Sequence, residues 1–137
     1  MKPKEPCPCG SGRTYGQCCG LYHASNGVPT AAATAEALMR SRYCAYVLEL
    51  EDYLRATWHA STCPASLDLA APPVPKWIGL DIRRVSASEN QVESQVEFVA
   101  RYKINGKAHK LHEVSDFIRE DGRWYYLSGR FPEEAGA

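Results

Sequence analysis

The sequence predicts an α+β fold in which helices come first and an antiparallel sheet follows. Three features of the chain support this prediction. Residues 34–58 repeat apolar side chains at helical spacing, residues from 77 onward alternate apolar and polar side chains, and residues 1–23 are rich in turn-forming proline and glycine. Residues 1–23 show neither helical spacing nor strand alternation, so this segment needs a cross-link to hold a structure. It contains four of the six cysteines of the chain.

Length, charge and hydropathy favour a globular protein of the cytoplasm. The 137 residues suffice for one domain with a buried core plus a small appendage. Lys and Arg number 16, as do Asp and Glu, so the zero net charge argues against broad binding to nucleic acid. No apolar run approaches the roughly 20 residues that span a bilayer, and no signal peptide is visible. We therefore expect a cytoplasmic protein without membrane contact, whose thiols stay reduced.

Two helices are predicted after a linker over residues 24–33. Thr34 can cap the first helix, with Glu36 in its first turn. One face of this helix is formed by apolar residues spaced three or four apart, namely Ala35, Met39, Tyr43, Tyr46 and Leu50. A second helix is predicted over 52–58. The proline-rich residues 60–75 then predict a loop.

Four strands are predicted, over residues 77–86, 92–103, 107–120 and 123–129. Between Val92 and Tyr102 the even positions are mostly apolar and the odd positions mostly polar, which indicates a sheet with one covered face. Asn-Gly at 105–106 and Asp-Gly at 121–122 are strong hairpin signals. We therefore expect the second, third and fourth strands to form an antiparallel meander.

Four cysteines with the spacing C-x-C-x8-C-C predict a zinc site: Cys7, Cys9, Cys18 and Cys19. Two thiolates one residue apart can face one ion from a tight turn, and the glycines between the pairs let the chain fold back. The alternatives are disulfides and free structural cysteines. Adjacent Cys18 and Cys19 would bridge only with strain, and a reducing compartment disfavours disulfides. A four-thiolate zinc site is coordinatively closed, so it would be structural or partner-binding.

The stretch "CPCGSGRTYGQCCG" resembles the SEC-C motif, the zinc-binding tail of the SecA preprotein translocase ATPase. The motif reads C-x-C-x-S-G-x-x-Y-x-x-C-[HC], and this chain matches it at Cys7, Cys9, Ser11, Gly12, Tyr15, Cys18 and Cys19. The resemblance implies that the four cysteines are zinc ligands. In SecA the tail binds the chaperone SecB, but motifs of this kind occur on many unrelated proteins. SecB binding is therefore not carried over to this chain, and we expect a protein partner of unidentified kind from the closed metal site itself.

Nearly the whole chain resembles the YchJ-like family of small bacterial proteins of unknown function. The resemblance rests on the cysteine motif, "ALMRSRYCAYVLELEDYLRATWHAST" and "VEFVARYKINGKAHKLHEVSDFIREDGRWYYLSG". It implies a zinc motif over 1–23, the linker and a domain over 34–131. That domain would be similar to the nuclear-transport-factor-2-like (NTF2-like) fold, a cone-shaped, curved antiparallel sheet packed on N-terminal helices. Cys44 and Cys63 have no family role known to us, and we interpret Cys44 as a small apolar residue beside the helical face.

Cones of this type often hold a small ligand or form a dimer, although fold alone assigns neither. The candidate pocket residues are polar or aromatic, namely Tyr43, Trp58, His59, His112, Glu113, Asp116 and Trp124. His112 and Glu113 are adjacent on a strand and must point to opposite faces. His112 and Asp116 share a face. They form either an acid–base pair or, in the interpretation we favour, a polar patch facing solvent.

The remaining candidate side chains have structural interpretations. His59 suits the C-terminal end of a helix, and Arg40 and Arg42 suit salt bridges. The tryptophans and the Tyr125–Tyr126 pair suit packing of the core and sheet. The sequence contains no phosphate loop, no G-x-S-x-G and no H-E-x-x-H.

The function that these features favour is non-enzymatic. A zinc module would recognise a partner, and the cone would bind a small ligand or dimerise. The alternative is a small isomerase or hydrolase that uses a histidine or carboxylate in the cone. A third hypothesis is a zinc module for nucleic acid, suggested by Lys2, Lys4 and Arg13 but opposed by the zero net charge.

Overall fold

The computed structural model describes residues 3–23, 31–90 and 92–132, so most of the predicted linker lies outside the described residues. A 3₁₀ turn over Tyr15–Gln17 precedes the helices, which are α1 (Cys19–Tyr22), α2 (Ala35–Val47) and α3 (Glu51–Ala56). The strands are β1 (Lys76–Ala87), β2 (Glu93–Ile104), β3 (Lys107–Glu120) and β4 (Arg123–Arg130). The predicted α+β layout is confirmed. In the described part of the chain, no helix is long and apolar enough to cross a bilayer.

Helix α2 begins where the capping residue predicts. The Thr34 hydroxyl accepts a hydrogen bond from the Ala37 amide at 3.1 Å, which satisfies one of the free N–H groups of the first turn. The helix ends at Val47, and Glu49 adopts a positive φ of 56°. Leu50 therefore does not extend the apolar face of α2 as predicted, because it caps the N-terminus of α3.

Helix α3 is shorter than the sequence predicts. It ends at Ala56, so Trp58 and His59 lie beyond it. These residues run beside β4, where the His59 amide donates to the Tyr126 carbonyl and the Tyr126 amide donates to the Thr57 carbonyl, both at 2.8 Å. Pairing with the sheet provides these backbone bonds in place of a last helical turn.

The four strands form one antiparallel sheet in the order β1-β2-β3-β4. Asn105 and Gly106 have φ of 51° and 79°, and Asp121 and Gly122 have 54° and 78°. These positive values are those of two-residue type I′ turns, so both predicted hairpins are confirmed. Register shifts interrupt β1 twice and β3–β4 once, and such irregularities bend strands. The result is the predicted curved sheet.

The concave face of the sheet packs on α2. Its buried residues come from alternating positions of β2 and β3, namely Ser94, Val96, Phe98, Ala100, Glu113, Ser115 and Phe117. Phe98 lies opposite Glu113 and Val96 opposite Ser115 in the strand register. Val92 was expected on this face but lies before β2 and is 39% exposed.

Candidate metal centre and inner cavity

The N-terminal loop places the first cysteine pair by short backbone hydrogen bonds. The Cys7 amide donates to the Arg13 carbonyl at 3.0 Å, and the Gly10 amide donates to the Cys7 carbonyl at 3.2 Å. Gly10 and Gly12 have φ of 79° and 87°, a conformation that other residues rarely adopt. The loop therefore folds back on itself, and Cys7 and Cys9 meet the residues that follow Tyr15.

Four cysteine thiols meet at one buried point, namely those of Cys7, Cys9, Cys19 and Cys44. Their sulfur atoms all lie within 4.8 Å of one another, and the Sγ atoms of Cys7 and Cys44 are 3.5 Å apart. A zinc tetrahedron with Zn–S bonds of about 2.3 Å requires sulfur atoms about 3.8 Å apart. The cluster therefore has the donor set and the dimensions of a four-thiolate metal site.

Cys18 lies beside this cluster and is not one of the four mutually close thiols. Its Sγ is 3.7 Å from that of Cys9 and 4.0 Å from that of Cys19, and the Ser11 hydroxyl lies 3.1 Å from it. The sequence predicted Cys18 as a ligand and interpreted Cys44 as an apolar helix residue. The structure brings Cys44 of α2 to the fourth position because this face of α2 packs on the N-terminal loop.

The thiols of the cluster perturb one another. A hydrogen bond from the Cys19 thiol lowers the pKa of Cys7 to about 6, and the same thiol lowers the pKa of Cys9. Burial instead raises the pKa of Cys18. Hydrogen bonds within the cluster also raise the pKa of Cys19 and of Cys44, so a raised pKa does not set Cys18 apart from the four clustered thiols. Metals bind thiolates, so a bound metal would displace the protons that these thiols share.

Two further contacts attach the cysteine segment to α2. The Arg40 Nη1 donates to the Cys9 carbonyl at 2.9 Å, while its Nε pairs with Glu36 at 3.0 Å. The His23 Nε2 lies 2.7 Å from the Ser41 carbonyl. A carbonyl only accepts, so Nε2 carries the proton and Nδ1 accepts from the Tyr15 hydroxyl, also at 2.7 Å.

A second candidate site is a cavity of about 220 Å³ between α2 and the concave face of the sheet, which we call the inner cavity. Its lining residues are Met39, Arg42, Tyr43, Tyr46, Trp77, Phe98, Ala100, Leu111, Glu113, Ser115 and Tyr126. Most of these side chains are apolar or aromatic. Two carry charge, Arg42 and Glu113, and both are buried.

Glu113 is held by two hydroxyl groups. Ser115 Oγ and Tyr126 Oη donate to its Oε2 at 2.5 and 3.2 Å. Burial, with the Glu113 carboxylate nearby, raises the pKa of Tyr126, so this phenol keeps the proton that it donates. The carboxylate is thus fixed in the wall of the inner cavity.

Arg42 is held from the opposite side by oxygen atoms and ring faces. Its Nη1 donates to the Leu54 carbonyl at 2.8 Å and to Thr57 Oγ1 at 2.7 Å. Its Cζ lies 5.1 Å from the centre of the Trp58 ring and 4.7 Å from that of Tyr126, which is cation–π distance. Burial lowers the pKa of Arg42, but guanidinium stays charged in proteins.

The structure separates the predicted pocket residues into different environments. Tyr43 and Glu113 line the inner cavity, and Trp58 packs behind it against Arg42. Trp124 is buried near α3 instead, and His59 contacts the Glu120 carboxylate at 2.7 Å. These two residues therefore do not meet the inner cavity.

His112 and Asp116 lie on the convex face, opposite to Glu113. His112 Nε2 contacts Glu97 at 2.8 Å, and the Asp116 carboxylate accepts from Gln95 at 2.8 Å and Ser128 at 3.3 Å. The adjacent-residue argument for His112 and Glu113 is thus correct, and the favoured interpretation of a polar patch agrees with these contacts. In these contacts His112 pairs with a residue of β2, whereas Asp116 accepts from one residue of β2 and one of β4.

Sequence reasoning missed several contributors to these sites, among them Arg42, which was assigned to a salt bridge but lines the inner cavity. Cys44 and Ser115 have no local motif, and Tyr126 was interpreted as packing alone. The signal that could have identified Cys44 is the presence of a further cysteine on the helix that follows the cysteine-rich segment. Ser115 shares the side-chain period of Glu113, and Tyr126 requires the register between β3 and β4.

Comparisons with known proteins identify both parts of the chain. The family model described as "YchJ, middle NTF2-like domain" matches residues 34–129, and the SEC-C motif model matches residues 4–21. A UPF0225 protein of Chromobacterium violaceum is 58% identical, over 94% of this chain and 98% of that protein. A UPF0225 protein of Ralstonia nicotianae is 51% identical, over 93% of this chain and 92% of that protein.

Two solved structures share the architecture. A SEC-C motif containing protein from Rhodopseudomonas palustris superposes with a TM-score of 0.77 at 34% identity, covering 91% of this chain and 97% of that chain. Another from Psychrobacter arcticus gives 0.76 at 28% identity, covering 92% and 82%. The chain therefore belongs to the YchJ-like UPF0225 family, with a SEC-C motif ahead of an NTF2-like domain.

Proposed function

We propose that this protein binds one zinc ion through Cys7, Cys9, Cys19 and Cys44, and that the zinc-held segment docks a protein partner. The observation that carries the proposal is the meeting of four buried thiols, three from the SEC-C motif and one from α2. Four thiolates in a reducing compartment favour zinc over harder cations. The zinc would fasten the motif to the NTF2-like domain as one rigid surface.

A closed four-thiolate site leaves no position for a reactive water, so this zinc would be structural. The cysteines would bind the ion, and the Arg40 guanidinium beside the Cys9 carbonyl would partly offset the negative charge of the thiolates. The exposed side chains of the same loop, such as Lys4 and Arg13, would then be presented to a partner in a fixed arrangement. We place the protein in the cytoplasm, where such thiols stay reduced.

The NTF2-like domain would hold a small ligand in the inner cavity. The supporting observation is a cavity with aromatic walls and a fixed carboxylate. Dimerisation is the alternative use of this domain, and it would involve the edge strand β1, which exposes Ile78 and Val85. The convex-face positions of His112 and Asp116 argue against that pair as the acid and base of an isomerase or hydrolase, whereas the Glu113 carboxylate of the same strand does line the cavity.

Metal analysis of the protein, purified without added zinc or chelator, tests the first proposal. We expect about one zinc per chain in the wild type and in Cys63→Ser, whose residue lies apart from the cluster. We expect none in Cys9→Ser. A wild-type protein without zinc would contradict the proposal.

Partner docking is tested by affinity capture from a bacterial lysate with the same three proteins as bait. A protein retained by the wild type and by Cys63→Ser, but lost with Cys9→Ser, would support a docking role for the zinc-held segment. Identical captures by all three baits would show that the segment does not dock a partner under these conditions and would contradict that part of the proposal.

A further inference from the structure

The Glu113 carboxylate is an unusual component of the inner cavity. The residue is only 8% exposed, and it sits opposite Phe98 among apolar side chains. Taking a carboxylate out of water is costly unless hydrogen bonds or a cation compensate it. Its donors, Ser115 and Tyr126, both bind Oε2 and are neutral hydroxyl groups. The negative charge of Glu113 is therefore stabilised by hydrogen bonds but has no directly paired cation among the described residues.

Arg42 is the nearest candidate for such a cation, but its guanidinium is engaged elsewhere. Its Nη1 donates to two oxygen atoms, the Leu54 carbonyl and Thr57 Oγ1, and its Cζ lies at cation–π distance from the rings of Trp58 and Tyr126. An anionic ligand would have to compete for this group and would also meet Glu113. Arg42 and Glu113 both line the cavity and attract each other, but the guanidinium already has two oxygen partners and two ring faces, whereas the carboxylate accepts only from neutral hydroxyl groups.

The other walls of the cavity are suited to a positive charge. Tyr43 and Tyr46 each have their ring centres 6.0 Å from that of Trp77, and Phe98 and Tyr126 complete the lining. Aromatic faces carry negative electrostatic potential and attract cations, most strongly where water is excluded. A carboxylate within an aromatic wall is the combination that recognises organic ammonium groups.

We propose that the inner cavity binds a small organic cation, an amine or a quaternary ammonium with a compact apolar body. Its positive group would lie against Glu113 and its apolar body against the ring of Trp77. The cavity volume of about 220 Å³ is below the roughly 300–1,000 Å³ of drug-sized sites, so the ligand is small. This inference rests on the proposed ligand-binding role of the NTF2-like domain and names the chemical class of the ligand.

Three probes of similar size and different charge test the proposal, namely benzylamine, benzyl alcohol and benzoate. Each is titrated into the full-length, zinc-loaded, isotope-labelled protein, and amide shifts around Tyr43, Trp77 and Glu113 are followed by NMR. We expect benzylamine to bind at least about tenfold more tightly than benzoate or benzyl alcohol. This comparison uses only the wild-type protein, so it does not depend on whether any variant folds.

Two matched variants then assign the charge to a residue. Glu113→Gln should lower benzylamine affinity by at least about tenfold, and Glu97→Gln should leave it unchanged, because Glu97 lies on the convex face with His112. Equal binding of amine and alcohol, tighter binding of benzoate, or an undiminished affinity in Glu113→Gln would overturn the cation proposal while leaving a ligand cavity in place. Absence of binding by all three probes would overturn both the cation proposal and the proposed ligand-binding role.

Discussion

The Sγ atoms of Cys7 and Cys44 lie 3.5 Å apart although 37 positions separate the two residues in the sequence. One belongs to the N-terminal loop and the other to α2, the helix on which the sheet packs. A metal held between them would close a long loop, and such closure removes conformational entropy from the unfolded chain. The SEC-C motif would thereby be an integral part of the folded domain.

Removal of the metal should therefore destabilise the whole chain. A covalent cross-link that closes a loop of 37 residues is worth about 4 kcal/mol, and a metal that joins the same residues should contribute on that order. We expect a strong chelator to lower Tm by roughly 10 °C, measured by calorimetry at fixed protein concentration. Readdition of zinc should restore the value. An unchanged Tm after complete metal removal would contradict this expectation.

Replacing Arg42 by methionine should destabilise the fold. Arg42→Met keeps the apolar stem but leaves the buried Leu54 carbonyl and Thr57 hydroxyl without their charged donor. We expect a loss of about 3 kcal/mol in the free energy of unfolding by urea denaturation. Arg55→Met is the control, since Arg55 is exposed in α3, and it should stay within about 0.5 kcal/mol of the wild type. Equal effects of the two substitutions would rule out a special role for Arg42.

Gly129 is the position in β4 that leaves room for the Glu113 side chain. A Cβ at Gly129 would collide with the Glu113 carboxylate and approach the Tyr126 hydroxyl to 2.9 Å. The carboxylate cannot move without losing its hydroxyl donors, so Gly129→Ala should cost about 2 kcal/mol in thermal or urea unfolding. Gly79→Ala is the matched control in β1, because its nearest neighbours are atoms of the Arg101 side chain at 3.4 Å. A Gly129→Ala protein as stable as Gly79→Ala would show that Glu113 is not fixed in place.

His23 should make stability depend on pH. Burial lowers the pKa of this imidazole below its ordinary value of 6.5. Above pH 6.5 both the folded and unfolded chains carry a neutral imidazole, so its full contribution is present. As pH falls below 6.5 the unfolded chain takes up a proton before the folded chain does. The stability contributed by His23 is therefore lost between pH 6.5 and the lower pKa of the folded state.

The comparison of wild type with His23→Gln isolates this effect, since loss of zinc in acid affects both proteins. The difference in unfolding free energy between them should shrink as pH is lowered from 7.5 to about 5. A difference that grows on acidification would mean that folding favours the protonated imidazole. That result would contradict the assignment of Nδ1 as the acceptor from Tyr15.

Features encoded within a few neighbouring residues could be predicted from the sequence. The Thr34 cap and the two hairpin turns depend on local backbone chemistry, and the structure has them where predicted. Alternation along β3 likewise shows that His112 and Glu113 face opposite ways. It does not show which face is covered, because that depends on how the bent sheet packs against α2.

Contacts between distant segments were beyond sequence reasoning. Cys44 has the size and polarity of a core residue, and its meeting with Cys7 depends on how α2 packs on the N-terminal loop. The shortening of α3 has a similar origin, since the residues after Ala56 pair with Tyr126 of β4. In both cases a contact between distant segments determines the outcome, and the spacing of nearby residues predicted a different one.

Zinc retention in Cys44→Ala and Cys18→Ala, measured against a competing chelator, tests the central claim most directly. Both side chains are buried and both lie near the sulfur atoms of Cys9 and Cys19, so the two variants are closely matched. We expect Cys44→Ala to lose at least about 100-fold in zinc affinity and Cys18→Ala to retain close to wild-type affinity, with the folded sheet verified by NMR in each. Retention of zinc by Cys44→Ala together with its loss from Cys18→Ala would contradict a metal centre shared between the motif and α2.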